Sequence, residues 1–313
     1  MRMFVPLVSA FVCILLCDTV SSTATWNYDP DGGIGPADWA GISGNDACDD
    51  NSQSPINIVH ADREEDDDLR SFSFANYEET SGVTIELENT GHTVNMAVSG
   101  VTLTVSNGDL SEDYEFAQLH FHWGSSDDQG SEHTIDGTEY PLEMHLVHFA
   151  SETYGALSDA VDQTEGLAVL GFLFEIQDDD NENFDALIAG LSSVTNADDT
   201  HTIDTFVLKN LFRNALGSYY RYSGSLTTPP CYESVVWTVF RDTIGISSSQ
   251  MAEFRTLMTN DDTPAAMEDN YRPVQDLGSR TVYYYHAHDD NSVASVTMSI
   301  GLIAMATIVS ILI

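Results

Sequence analysis

Apolar and polar residues alternate at Gly82-Val-Thr-Ile-Glu-Leu-Glu88 and Val101-Thr-Leu-Thr-Val-Ser106, and less regularly at Ser234-Val-Val-Trp-Thr-Val-Phe240. That two-residue period belongs to strands, whose successive side chains point to opposite faces of a sheet. A different run, Leu167-Ala-Val-Leu-Gly-Phe-Leu-Phe174, is apolar throughout and reads as a strand covered on both faces. Helical periodicity is short and rare, clearest over Phe184–Leu191 and Ser247–Met258. These patterns predict an α+β domain: a large, mainly antiparallel, twisted central β-sheet with short peripheral helices instead of alternating βαβ units. No linker, repeat or composition break interrupts residues 23–288, so a single domain is expected there.

Both ends of the chain differ from this middle. Residues 1–22 read as a secretory signal peptide, with Arg2, an uncharged apolar run from Met3 to Cys17, and small residues at Ser21, Ser22 and Ala24. Its removal leaves Cys48 and Cys231 as the two remaining cysteines, which in an oxidising compartment suggests one disulfide. Residues 289–313 form a hydrophobic C-terminal tail: Ser292 to Ile313 carries no charge and no basic residue follows. That is the pattern of a glycolipid-anchor signal or a membrane span. The expected location is the extracellular face of the plasma membrane or outside the cell, with the tail or its anchor as the membrane contact. No protein partner is inferable.

The charge narrows the function classes. Fifty Asp and Glu stand against ten Lys and Arg, a net −40, and nine of those ten are Arg, with Lys209 the single lysine. Such a chain repels a phosphate backbone, which excludes nucleic acid as a partner. The acids recur along the chain, as at Glu64-Glu65-Asp66-Asp67-Asp68, Asp178-Asp179-Asp180 and Asp289-Asp290, and so predict a carboxylate-covered surface. At about 1 M salt the Debye length is roughly 3 Å and neighbouring carboxylates scarcely interact, so a protein adapted to saline surroundings is expected. The run from Asp178 lacks the Gly and distal Glu of a calcium loop.

Chemistry concentrates in two segments. In a strand over Gln118-Leu-His-Phe-His-Trp-Gly124, Gln118, His120 and His122 project to one face and Leu119, Phe121 and Trp123 to the other. In Glu143-Met-His-Leu-Val-His148, Glu143, His145 and Val147 share a face. If the two strands pair antiparallel, His145 completes a three-nitrogen site whose open fourth position suits a catalytic divalent ion, with Zn2+ favoured. Gln118 and Glu143 each precede a proposed ligand by two residues, placed to accept the other ring N–H and fix the tautomer.

Taken with Trp26-Asn-Tyr28, Gln53-Ser-Pro-Ile-Asn-Ile58, Gly91-His-Thr-Val-Asn95, Ser131-Glu-His-Thr-Ile-Asp136, Gly166-Leu-Ala-Val-Leu-Gly171, Ser225-Leu-Thr-Thr-Pro-Pro230 and Asn270-Tyr-Arg-Pro273, these segments resemble the alpha-class carbonic anhydrases over nearly the whole middle of the chain. The resemblance implies a zinc lyase that hydrates carbon dioxide reversibly to bicarbonate and a proton. In its terms His120, His122 and His145 are the metal ligands. Gln118 supports His120, Glu143 supports His145, and the backbone carbonyl of Asn270 supports His122. Thr227 orients the attacking oxygen and donates to Glu132. Val147, Val169, Leu226 and Trp237 form the apolar wall where carbon dioxide rests, with Thr227 and Thr228 beside it; Tyr28, His92, Asn95 and Thr228 form the wet side.

His92 takes the place of the family's proton shuttle, with an expected pKa near 6.5. A local acceptor matters because loss of a proton from a group of pKa ~7 to bulk water is limited to about 10²–10³ s⁻¹. Thr90 stands where relatives often carry Asn, a departure that bears on the water network around the shuttle. Cys48 and Cys231 match the disulfide of secreted members, while His133 and His148 are expected to pack and hydrogen-bond, not to bind zinc. Two alternatives come with this reading: a carboxylester hydrolase using the same nucleophile, and a non-catalytic surface-binding protein on the same fold. Inactive relatives of the second kind typically lose a zinc histidine, and all three are present here.

Overall fold

The computed structural model describes residues 26–287 except 33 and 262. The predicted signal peptide and C-terminal tail lie outside the described residues. Among the described residues no helix is long and apolar enough to cross a membrane.

A 12-stranded sheet dominates the described residues. Its central strands, in spatial order, are Thr84–Asn89, Val94–Ser99, Tyr114–Trp123, Leu142–Ala150, Leu167–Gln177, Val235–Ser247 and Ser218–Gly224. Pairing is antiparallel throughout this series except between Leu167–Gln177 and Val235–Ser247, which run parallel. The mainly antiparallel α+β expectation is therefore met, and the parallel pair sits at the centre.

The apolar run is explained by what covers it. Ala168, Leu170, Phe172 and Phe174 enter one core, with Leu119, Phe121, Met144 and Leu146. Leu167, Val169 and Leu173 enter another, with Val147, Tyr222 and Trp237. The sheet thus separates two apolar layers, and every position of this strand between Leu167 and Phe174 is buried. Removing such side chains from solvent contributes about 1.5–3 kcal/mol each, which is why alternation disappears where both faces are occupied.

The helices are shorter than their sequence patterns. A 3-10 turn at Glu182–Phe184 leads into an α-helix at Asp185–Leu191, and a second helix covers Ser248–Phe254. Ser247 caps the second, accepting from Gln250 N while the Gln250 side chain reaches back to the Ser247 N–H. This helix stops before Met258 because tertiary bonds claim the following turn: Arg255 Nε donates to Gly124 O and Met258 N donates to Thr195 O.

Candidate metal centre and active site

Strands Tyr114–Trp123 and Leu142–Ala150 pair antiparallel in a register that sets His120 opposite His145 and His122 opposite Glu143. The pairing carries an irregularity between Phe116 and Gln118. Ahead of it Phe116 lies in the core with Leu119 and Phe121; after it Gln118, His120 and His122 take the other face. Ala117 is the extra residue, and a one-residue insertion of this kind re-aims every side chain that follows.

Each histidine is oriented by an oxygen. His120 Nδ1 lies 2.8 Å from Gln118 Oε1, His122 Nδ1 2.8 Å from Asn270 O, and His145 Nε2 2.7 Å from Glu143 Oε1. None of these oxygens can donate, so each of those ring nitrogens carries the proton. The opposite nitrogens, His120 Nε2, His122 Nε2 and His145 Nδ1, therefore present lone pairs to one another. His145 Nδ1 is 3.3 Å from His120 Nε2, and all three ligand atoms fall within 4.8 Å. His122 Nε2 is buried with no hydrogen-bond partner. Three inward lone pairs without a donor are unfavourable unless a cation sits among them, so the residues present fit zinc. Burial first, then the neighbouring imidazoles His122 and His145, holds the His120 pKa well below its ordinary value; His122 is lowered chiefly by burial. Both rings stay neutral, as ligands must be.

The surrounding shell is continuous. Glu143 is fully buried; desolvation alone would raise its pKa, but the fields and hydrogen bonds of His133 and His145 outweigh this and hold it low. Its Oε2 accepts from the backbone N–H groups of Glu132 and His133 at 2.9 and 2.8 Å. Gly171 faces His145 across the next ladder, where a Cβ would come within 3.2 Å of Glu143 Oε1. Asn270 ties three elements together: its carbonyl takes His122, its Oδ1 takes Trp123 N, and its Nδ2 donates to His92 O.

Glu132 Oε1 accepts the backbone N–H of Arg272 at 2.9 Å. Its Oε2 lies 3.3 Å from His122 Nε2, buried and without a hydrogen-bond partner. Thr227 is buried on the loop after Ser225, and the hydrogen bond to Glu132 that the resemblance implies is not formed among the described residues; an acceptor is in place for it.

Val147, Val169 and Trp237 occupy one row across three strands, because Val169 pairs with Val147 on one side and with Trp237 on the other. Leu226 packs against the same cluster. Trp237 Nε1 donates to Ser225 O at 2.9 Å, fixing the loop that carries Leu226, Thr227 and Thr228, and its ring centroid is 4.8 Å from that of His145. Thr228 O accepts from Cys231 N, and Cys231 is disulfide-bonded to Cys48. On the opposite side Asn95 pairs with His120 in the ladder. Tyr28 lies edge-on to Trp26 and Trp39; burial and the nearby Glu132 charge raise its pKa well above the phenolic range.

His92 departs from its expected pKa. Its ring stacks on Trp26 with centroids 4.0 Å apart, and burial there pushes it down to about 4, against a smaller upward pull from Asp261. Thr90 uses its hydroxyl locally, accepting from the N–H groups of His92 and Thr93 and donating to Thr93 O. That hydroxyl holds the turn carrying His92.

Sequence reasoning missed one support. Buried Arg272 donates to Gln53 Oε1, Ser54 O and Cys48 O while its backbone holds Glu132, although the only signal was the Asn-Tyr-Arg-Pro motif. His133, expected from sequence to hydrogen-bond, bridges Glu143 to the Tyr222 hydroxyl, which donates to Ser54 Oγ.

The family model for eukaryotic-type carbonic anhydrases matches residues 34–286. Carbonic anhydrase 15 of Mus musculus is 38% identical over 284 residues, covering 87% of this chain and 87% of that protein. Carbonic anhydrase 4 of Mus musculus is 38% identical over 257 residues, covering 81% of this chain and 80% of the other, and the Rattus norvegicus protein of that name is 37% identical over 256 residues. With the three-histidine centre and the fold, these matches place the chain in the eukaryotic-type carbonic anhydrase family, zinc enzymes that interconvert carbon dioxide and bicarbonate.

Proposed function

We propose that the chain carries out this hydration with the residues just described, outside the cell and in saline surroundings. Three converging imidazole lone pairs, each fixed by an outward hydrogen bond, carry the reading. His120, His122 and His145 would hold the ion, with Gln118, Asn270 and Glu143 fixing their tautomers. Bound zinc would acidify water to a pKa near 7, an effect for which carbonic anhydrase is the stock illustration, and so supply the hydroxide that attacks carbon dioxide.

The protein contributes place and direction. Carbon dioxide has no net dipole, so Val147, Val169, Leu226 and Trp237 hold it by shape beside the nucleophile and do not retain the charged product. Glu132 Oε2, buried and unpaired, is the acceptor that would orient the Thr227 hydroxyl, whose own oxygen then aims the nucleophile's lone pair at carbon. Thr228, Tyr28 and Asn95 supply polar groups on the opposite side. The released proton passes to His92, which is neutral at physiological pH. Buried and stacked on Trp26, the ring is a weak base.

The Cys48–Cys231 disulfide supports passage through the secretory pathway. The leader-like residues 1–22 and the apolar tail 289–313 support delivery to the outer membrane face, held by the tail or a glycolipid. The −40 charge supports the saline setting.

Carbon dioxide hydration by the purified protein, followed by pH-indicator stopped flow before and after zinc removal with a chelator, tests the chemistry. Activity should vanish with the metal and return on adding zinc; full activity in metal-free protein overturns the reading. Phospholipase release of the protein from cells tests the glycolipid.

A further inference from the structure

Among the described residues, the groups that touch His92 are uncharged. Its ring lies on Trp26, its backbone N–H donates to Thr90 Oγ1 at 3.3 Å, and its backbone carbonyl accepts from Asn270 Nδ2 at 2.9 Å. Tyr28, edge-on to Trp26, keeps its phenol protonated. The preceding Gly91, at φ +82°, faces Asn260 so closely that a Cβ would come within 2.4 Å of it, and Asn260 N donates to Gly91 O at 3.4 Å. The residue after Asn260 breaks the pattern. Asp261 Oδ1 accepts from Asn27 Nδ2 at 3.3 Å, tying the 260–261 turn to the residue that follows Trp26. The turn that packs on Gly91 and the segment that stacks on His92 are thus joined by a carboxylate. Among the described residues, Asp261 is the charged group whose field acts on this imidazole.

We propose that Asp261 is a positioning residue for proton transfer: it locks the Trp26–Asn27 segment against the 260–261 turn, which keeps His92 in place, and its charge stabilises the imidazolium formed when His92 takes the proton released by hydration. This rests on His92 being the proton acceptor. The transfer balances simply. A proton leaves water in the site for a ring nitrogen of His92 and passes on to external buffer; only O–H and N–H bonds are exchanged. Burial opposes the imidazolium, and Asp261 works against burial. Because its action is partly electrostatic, it weakens as salt shortens the Debye length.

The test uses the zinc-loaded protein with Asp261→Asn, Asp261→Glu and His92→Ala. In Asp261→Asn, NMR titration should show the His92 pKa falling by about 0.5–1 unit, with Asp261→Glu recovering most of it. At low buffer kcat should drop about two- to five-fold while kcat/KM stays within about twofold, and added imidazole should erase the difference. Adding Asp261→Asn to His92→Ala should cause no further loss. An unchanged His92 titration in Asp261→Asn overturns the proposal, as does a further loss in the His92→Ala background. If His92→Ala keeps full kcat at low buffer, the shuttle reading itself falls, whereas the titration separately decides whether Asp261 acts on the ring.

Discussion

Glu143 Oε1 stands 2.7 Å from His145 Nε2, and the same oxygen is 2.7 Å from His133 Nδ1. One buried carboxylate therefore orients a metal ligand while being anchored by a second ring and by two backbone N–H groups on its other oxygen. Glu143→Gln would offer an amide where acceptors are needed on both sides. Zinc affinity is expected to fall about 10–100-fold, measured by competition with a chromogenic chelator. Unaltered affinity would remove Glu143 from the ligand-orienting role.

His148 is fully buried, with Nε2 facing the Tyr77 hydroxyl at 2.5 Å and Nδ1 facing Ala168 O at 3.2 Å. Burial pushes its pKa down to about 4, against about 6.5 in an unfolded chain. The folded state thus binds the proton less readily: its stability contribution is intact above about pH 6.5 and is lost as the pH falls from there towards 4. The full span is worth about 3 kcal/mol. Denaturant titrations at pH 7 and 4.5 should show a smaller acid-induced loss in His148→Gln than in the parent, by most of that amount. Equal losses would mean that another group sets the acid limit.

Net charge −40 makes stability a matter of screening. The melting temperature is expected to rise between about 0.05 and 1 M NaCl, as the Debye length shrinks from more than 10 Å to roughly 3 Å, with hydration activity retained. A melting temperature and activity that both fall over this range would refute the saline assignment.

The Cys48–Cys231 bond spans 183 residues of sequence. In the chain-entropy account, closing a loop of that length disfavours the unfolded state by about 5 kcal/mol. The double variant Cys48→Ser, Cys231→Ser should lose about 3–5 kcal/mol in urea titration under oxidising conditions. Because Cys48 O accepts from Arg272 and Cys231 N donates to Thr228 O, turnover should decline as well. A variant as stable as the parent would show that the bridge adds nothing to the fold.

Much of this was legible before any coordinates, for a local reason. Period-two alternation places Gln118, His120 and His122 on one face because neighbouring side chains of a strand must diverge, and the same rule aligns Glu143, His145 and Val147. Residue types therefore fixed the candidate donor set and the sheet class, whereas the apolar wall was named only through the family resemblance. What local pattern could not carry was the environment of each group. The bulge at Ala117 decides which face Phe116 takes, and no alternation rule anticipates an inserted residue. The His92 pKa of about 4 comes from burial in a site where Trp26, 66 positions away in sequence, stacks on the ring, and its opposing charge comes from Asp261, on the turn whose Asn260 packs on Gly91. Arg272 reaches Glu132, Gln53 and Cys48 only once the sheet has closed. Sequence by itself determined which chemistry the chain possesses, because valence and strand geometry are local. Tertiary structure alone decided basicity and burial, because desolvation and fields depend on what packs around a group.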